Sequence, residues 1–118
     1  MITPRRWCAR LAGLLAFVLG MMPGRLPFPG LFRAHMILGG LVVLSLLLCA
    51  LLSAGKVPFP KVGGGIAWAA LTLFIGLRQN QLMSGSAHGV IEVLHAVLGI
   101  GAIGLTEMLA AARARAVR

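Results

Sequence analysis

Few residues in this sequence could do chemistry: three histidines and two glutamates, with no aspartate and no tyrosine. Both glutamates, Glu92 and Glu107, fall in the same long apolar stretch as His88 and His95, whereas His35 lies in an earlier one. Ionisable side chains are costly inside a lipid bilayer, and where they occur they commonly serve a function. His35, Glu92 and His95 are therefore the first candidates for a functional site, followed by His88.

The three histidines predict a site for haem b. If their helices are the second and fourth of a four-helix bundle, they lie diagonally across it, roughly 12–14 Å apart, with room for a porphyrin between two imidazoles. His35 and His88 match best in depth, because each lies near the start of its apolar run. His95 is about 10 Å deeper; pairing it with His35 would need a tilted helix but would shield the porphyrin better. Ligation by two imidazoles leaves no open position for a substrate, which favours electron transfer.

Other chemistry fits the same residues. Glu92 and His95 form a Glu-x-x-His motif, whose spacing directs both side chains to one non-haem metal ion in helical bundles. His88 and Glu92, four residues apart, could act in the same way. A chlorin pigment held by one histidine is a further alternative, and no motif separates it from haem. The last alternative has no cofactor, with the histidine and glutamate side chains serving only helix packing.

The composition places these residues in a membrane. Of the 118 residues, 59% are hydrophobic and only 11% are charged, against about 25% charged in an average soluble domain. A soluble enzyme of this length could not hide so much apolar surface, and a disordered chain would be far less hydrophobic. The net charge of +9 comes from residues that flank the apolar runs, so it predicts contact with anionic lipid and excludes nucleic acid as a partner.

Apolar runs at about residues 7–23, 33–54, 62–82 and 86–112 predict four transmembrane helices, since a span needs roughly 20 residues. The first run is marginal and resembles a signal peptide, but no small-x-small cleavage pattern follows it, so we predict a retained helix. The expected fold is an all-α, four-helix, up-down bundle that forms a single membrane domain over residues 1–118.

The basic residues predict how this bundle is oriented. Eight of them would lie on the side of the two termini and three on the other side, and positive charge concentrates on the cytoplasmic side. Both termini are therefore expected in the cytoplasm, in a membrane of the bacterial inner-membrane type. The eight are Arg5, Arg6, Arg10, Lys56, Lys61, Arg113, Arg115 and Arg118, and the three are Arg25, Arg33 and Arg78.

Two classes of function follow. Histidines on helices two and four are similar in outline to the four-helix cores of b-type membrane cytochromes, although those cores pair two histidines per helix at wider spacing than His88 to His95. This resemblance covers two helices and implies a haem-binding electron-transfer protein or subunit. The second class is a non-catalytic accessory subunit that packs onto a larger membrane complex. Both imply the lipid bilayer as surroundings, and other membrane subunits or a second copy of the chain as partners.

Overall fold

Helices make up most of the chain in a computed structural model that describes residues 4–21, 29–79, 81–82 and 85–118. No strand occurs among these residues. A single turn of 3₁₀-helix at Gly85–Ala87 precedes the last helix. The helices are α1 (Pro4–Met21), α2 (Pro29–Ser53), α3 (Phe59–Arg78) and α4 (His88–Ala116).

Three of the helices are long and apolar enough to cross a membrane: Gly30–Ser53, Phe59–Arg78 and Gly85–Ala116. In α1 the described apolar stretch is Arg10–Gly20. Large apolar side chains are exposed on every helix, for example Leu14, Ile37, Phe74 and Val93. Exposed apolar surface on all sides of a bundle suits lipid as the surrounding solvent. The chain is therefore a helical membrane protein.

The connection between α2 and α3 follows from its sequence. After Ser53, Gly55 adopts a φ of 75°, a left-handed conformation that favours glycine and ends helices. The amides of Lys56 and Val57 both donate to the Ser53 carbonyl at 3.0 Å, which closes the turn. Proline in the first turn of α3 then helps to start that helix, because the first turn has no intrahelical use for the amide that proline lacks.

The two central helices are α2 and α4. Each of them contacts every other helix, whereas α1 and α3 do not touch each other in the described part of the chain. One apolar core joins Leu46 and Ala50 of α2 to Ala102 and Leu109 of α4. The prediction that α2 and α4 face each other across a wide diagonal gap is therefore wrong. Alanines at this interface allow the two helices to pack directly.

Two helix bounds differ from the predicted spans in ways that affect the site. The helix α2 begins at Pro29, four residues before the predicted run, and α4 continues to Ala116, past the predicted end at 112. The predicted end of the first span at residues 22–23 lies outside the described residues, as does Arg25.

Candidate histidine site

His35 and His95 come together between the two central helices. Their ring centroids are 6.0 Å apart and the ring planes are inclined by 72°. His35 is the seventh residue of α2 and His95 the eighth of α4, so the early start of α2 brings the two histidines to the same level. Matching in depth from the sequence favoured His35 with His88; the structure instead brings His35 to His95.

The His35 ring packs against Gly20 and the Ala16 carbonyl of α1, a glycine and carbonyl that together form its seat. Its Nδ1 donates a hydrogen bond to the main-chain carbonyl of Ala16, at 2.8 Å. Gly20 follows one turn later in α1, and a Cβ placed there would lie 2.9 Å from His35 Cε1. The ring can approach only because residue 20 has no side chain. Because a carbonyl only accepts, Nδ1 carries the proton, and in the neutral ring the lone pair is on Nε2.

The helix α3 provides a similar seat for His95. A Cβ placed on Gly76 would lie 2.9 Å from His95 Cε1. The Nδ1 atom of His95 is buried and has no hydrogen-bond partner among the described residues. Buried polar atoms are nearly always paired in native proteins. This nitrogen therefore needs an acceptor that the described contacts do not show.

A tryptophan holds α4 against α3 next to this site. The indole Nε1 of Trp68 donates to the main-chain carbonyl of Leu98, at 2.9 Å, three residues after His95. The same ring lies against Gly101, where a Cβ would collide with it. The helix that carries His95 is thus fixed in position by one hydrogen bond and one close ring contact.

His88 and Glu92 lie at the edge of the bundle and interact with each other. His88 Nε2 and Glu92 Oε1 are 3.6 Å apart, and 66% of the Glu92 side-chain surface is exposed. The Glu-x-x-His pair is thus divided, with Glu92 turned to the exposed face and His95 packed beside His35. Within the described ranges, no three histidine, cysteine or acidic side chains form a group that could hold a metal ion.

An ion pair that the sequence did not reveal joins α1 to α4. Arg10 Nε and a second guanidinium nitrogen donate to the two carboxylate oxygens of Glu107, at 2.9 and 3.1 Å. Glu107 is twelve residues after His95, so the ion pair lies about 18 Å along α4 from the histidines. The sequence signal for this ion pair was one basic residue inside the first apolar run, Arg10, and one acidic residue far along the last run, Glu107.

The paired imidazoles have a limited chemical repertoire. Neutral imidazole binds transition metals and haem iron through a ring nitrogen, and two imidazoles from neighbouring helices can bind one metal centre together. The glutamates are not part of this pair, since Glu92 contacts His88 and Glu107 contacts Arg10. Comparisons with protein-family models, with curated proteins and with solved structures found no match to this chain.

Proposed function

We propose that this protein binds haem b in the membrane and transfers electrons, with His35 and His95 as the two axial ligands. The observation that carries the proposal is the separation of 6.0 Å between the two ring centroids. Imidazole nitrogens bind metal ions at about 2.0–2.1 Å, so two imidazoles on opposite sides of one ion have centroids roughly 6 Å apart. Two imidazole ligands leave no site for a substrate, which favours electron transfer.

The orientation of the His35 ring supports this role. Ligand histidines commonly donate their second ring nitrogen to a main-chain carbonyl, which fixes the ring and makes the ligating nitrogen more basic. The Nδ1 of His35 makes such a bond to Ala16, so Nε2 is the atom available to iron. The porphyrin would supply the redox-active iron, while the chain orients the imidazoles and surrounds them with apolar side chains.

Glycines beside the two histidines support a large ligand. Gly39 and Gly99 lie one helical turn beyond His35 and His95, and a Cβ placed on either would meet nothing within 4 Å. Open space next to each histidine is a feature that a flat macrocycle requires.

The proposal includes the topology of four spans with both termini in the cytoplasm. The helix α1 contacts His35 through Gly20 and Glu107 through Arg10, so its apolar part lies beside the core over ten residues. A helix that packs along the bundle in this way favours a fourth span. The excess of basic residues at the termini and at Lys56 and Lys61 favours the orientation. The histidine pair would then lie in the outer half of a bacterial-type inner membrane.

Absorption spectra of variants test the haem proposal. We expect protein made with ample iron and haem precursor, and purified in mild detergent, to show the Soret and reduced α bands of a low-spin b-type centre. His35→Ala and His95→Ala should each abolish or shift these bands. His88→Ala is the matched control, since this histidine contacts Glu92 at the bundle edge, and it should leave the spectrum intact.

Two results would overturn the haem proposal. One is a colourless wild-type preparation that also takes up no added haemin. The other is loss of the spectrum in His88→Ala but not in His95→Ala. A colourless protein that migrates with a much larger membrane complex in mild detergent would favour the accessory-subunit alternative instead.

A further inference from the structure

The geometry points to an internal duplication: two helical hairpins, α1–α2 and α3–α4, each present one imidazole through the same arrangement of a glycine and a main-chain carbonyl. We infer that Gly76 exposes the carbonyl of Thr72 as the acceptor for His95 Nδ1, as Gly20 exposes that of Ala16 for His35. Both histidines would then offer Nε2 to one ligand on the pseudo-twofold axis. This inference rests on the proposed function only for the identity of that ligand.

The sequence repeats in the two hairpins. The segment after Arg10 reads Leu-Leu-Ala-Phe-Val-Leu-Gly at 14–20, and the corresponding segment of α3 reads Ala-Leu-Thr-Leu-Phe-Ile-Gly at 70–76. The second helices share His-x-(Ile/Val)-Leu-Gly, at 35–39 and at 95–99. The offset is 56 residues for the first helices and 60 for the second. Repeats in one orientation are related by an axis along the membrane normal in many membrane proteins.

The helix contacts have the same symmetry. Exchanging α1 with α3 and α2 with α4 converts each contacting pair of helices into another contacting pair. The contacting pair α2–α4 maps onto itself. The pair α1–α3 also maps onto itself, and these two helices make no contact within the described ranges. Burial follows the repeat as well: Val42 and Ala102 are buried equivalents, and so are Ala16 and Thr72.

The two histidine rings lie at nearly the same distances from their glycines. A Cβ placed on Gly20 would lie 2.9, 3.4 and 3.8 Å from Cε1, Nδ1 and Nε2 of His35. The corresponding distances from Gly76 to His95 are 2.9, 3.6 and 3.8 Å. Each ring therefore rests on its glycine in the same way. In the first hairpin, Nδ1 bonds the carbonyl four residues before the glycine, and the equivalent residue in the second is Thr72.

The unpartnered nitrogen is the point at which the hairpins differ. His95 Nδ1 is buried without a partner, while the rest of its seat copies that of His35. By analogy with the Ala16 carbonyl four residues before Gly20, the Thr72 carbonyl, four residues before Gly76, is the acceptor assigned to this nitrogen. With that bond, each imidazole is oriented by a main-chain carbonyl of the first helix in its own hairpin. The two rings are then related by the pseudo-twofold axis.

The tautomers of the two histidines test this inference without any ligand. We expect ¹⁵N NMR of histidine-labelled protein, with no haem added, to show protonated Nδ1 and unprotonated Nε2 for both His35 and His95. The third signal is assigned with His88→Gln. Wild-type protein in which His95 is protonated on Nε2 instead would overturn the inference, and this measurement requires no variant at the seat to fold.

Matched glycine variants extend the test. Gly20→Ala should change only the His35 signals and Gly76→Ala only those of His95, because the new methyl group forces the ring away from its carbonyl. Gly64→Ala, at an exposed position of α3 with open space, is the control and should change neither. A His95 signal unaffected in Gly76→Ala would overturn the role of this glycine.

Haem loading separates this inference from the proposed function. In haem-loaded protein, Gly20→Ala and Gly76→Ala should both raise the midpoint potential, because an imidazole without its Nδ1 hydrogen bond is less basic and stabilises ferric iron less. A change in only one variant would overturn the equivalence of the hairpins. Failure of the wild type to bind haem would remove the proposed ligand. The NMR measurement of which nitrogen is protonated in His35 and His95 would still test whether the two hairpins hold their histidines in the same way.

Discussion

The ion pair between Arg10 and Glu107 is a single-residue feature with a measurable effect on stability. Glu107 is largely buried, with 20% of its side chain exposed, and Arg10 is 41% exposed. Neutralising the carboxylate leaves a partly buried guanidinium without its counterion, which costs more than a surface pair contributes. We expect Glu107→Gln to lower the free energy of unfolding by about 1 kcal/mol, measured by titration with a denaturing detergent.

A double-variant cycle checks that this cost comes from the pair. Arg10→Gln/Glu107→Gln should cost less than the sum of the two single variants, because the second substitution removes the charge that the first left alone. The control is Arg115→Gln, which changes an exposed charge at the end of α4 and should leave stability unchanged. Additive single variants would contradict a direct interaction.

At the scale of helices, the close approach of α3 and α4 depends on Trp68 and Gly101. Trp68→Phe keeps an aromatic ring at this position but removes the hydrogen bond to the Leu98 carbonyl. Such a bond contributes about 1 kcal/mol, so we expect a loss of stability of that size. Gly101→Ala should cost more, roughly 1–3 kcal/mol, because its methyl group would occupy the space of the indole ring.

The matched control for the α3–α4 contact is Gly104→Ala. It lies in the same helix as Gly101, but a Cβ there would meet nothing within 4 Å. Alanine also favours helices over glycine, so this variant should be neutral or slightly stabilising in the same unfolding assay. Equal losses in Gly101→Ala and Gly104→Ala would show that the contact with Trp68 does not control the approach of the two helices.

The sequence predicted the helices better than their arrangement. Long apolar runs reveal helices α2, α3 and α4 directly, because length and hydropathy are local properties. The side-by-side packing of α2 and α4 depends on Ala50 and Ala102, whose partners lie on other helices. Single-sequence periodicity carries no information on which small residue meets which helix. The predicted diagonal gap between α2 and α4 came from the average spacing of helices in four-helix bundles. In the structure these two helices are in direct contact.

The sequence left open whether His88 or His95 pairs with His35, for a similar reason. His35 was expected at the depth of His88 because the apolar run was taken to start at residue 33. The helix starts at Pro29, since the first turn of a helix tolerates proline, so His35 lies in its second turn and not near its first residue. A match in depth estimated from the apolar runs therefore could not identify His95 as the histidine that contacts His35.

At the scale of the whole molecule, the position of α1 determines the number of spans. Its described apolar stretch, Arg10–Gly20, carries a charge at one end. Its contacts compensate, since Arg10 is neutralised by Glu107 and Gly20 packs against His35. A helix whose charged end is neutralised within the bundle can cross the bilayer at a lower cost than an isolated one.

Cysteine labelling in sealed, right-side-out membrane vesicles tests this topology. In a background of Cys8→Ala and Cys49→Ala, a membrane-impermeant maleimide should react with Gln81→Cys, which would lie outside. It should react with Lys56→Cys and Arg118→Cys only after the vesicles are permeabilised, because the positive-inside rule places both in the cytoplasm. Thr3→Cys distinguishes four spans from three: protection until permeabilisation is expected if α1 crosses, whereas immediate labelling would place both ends of α1 outside and leave three spans.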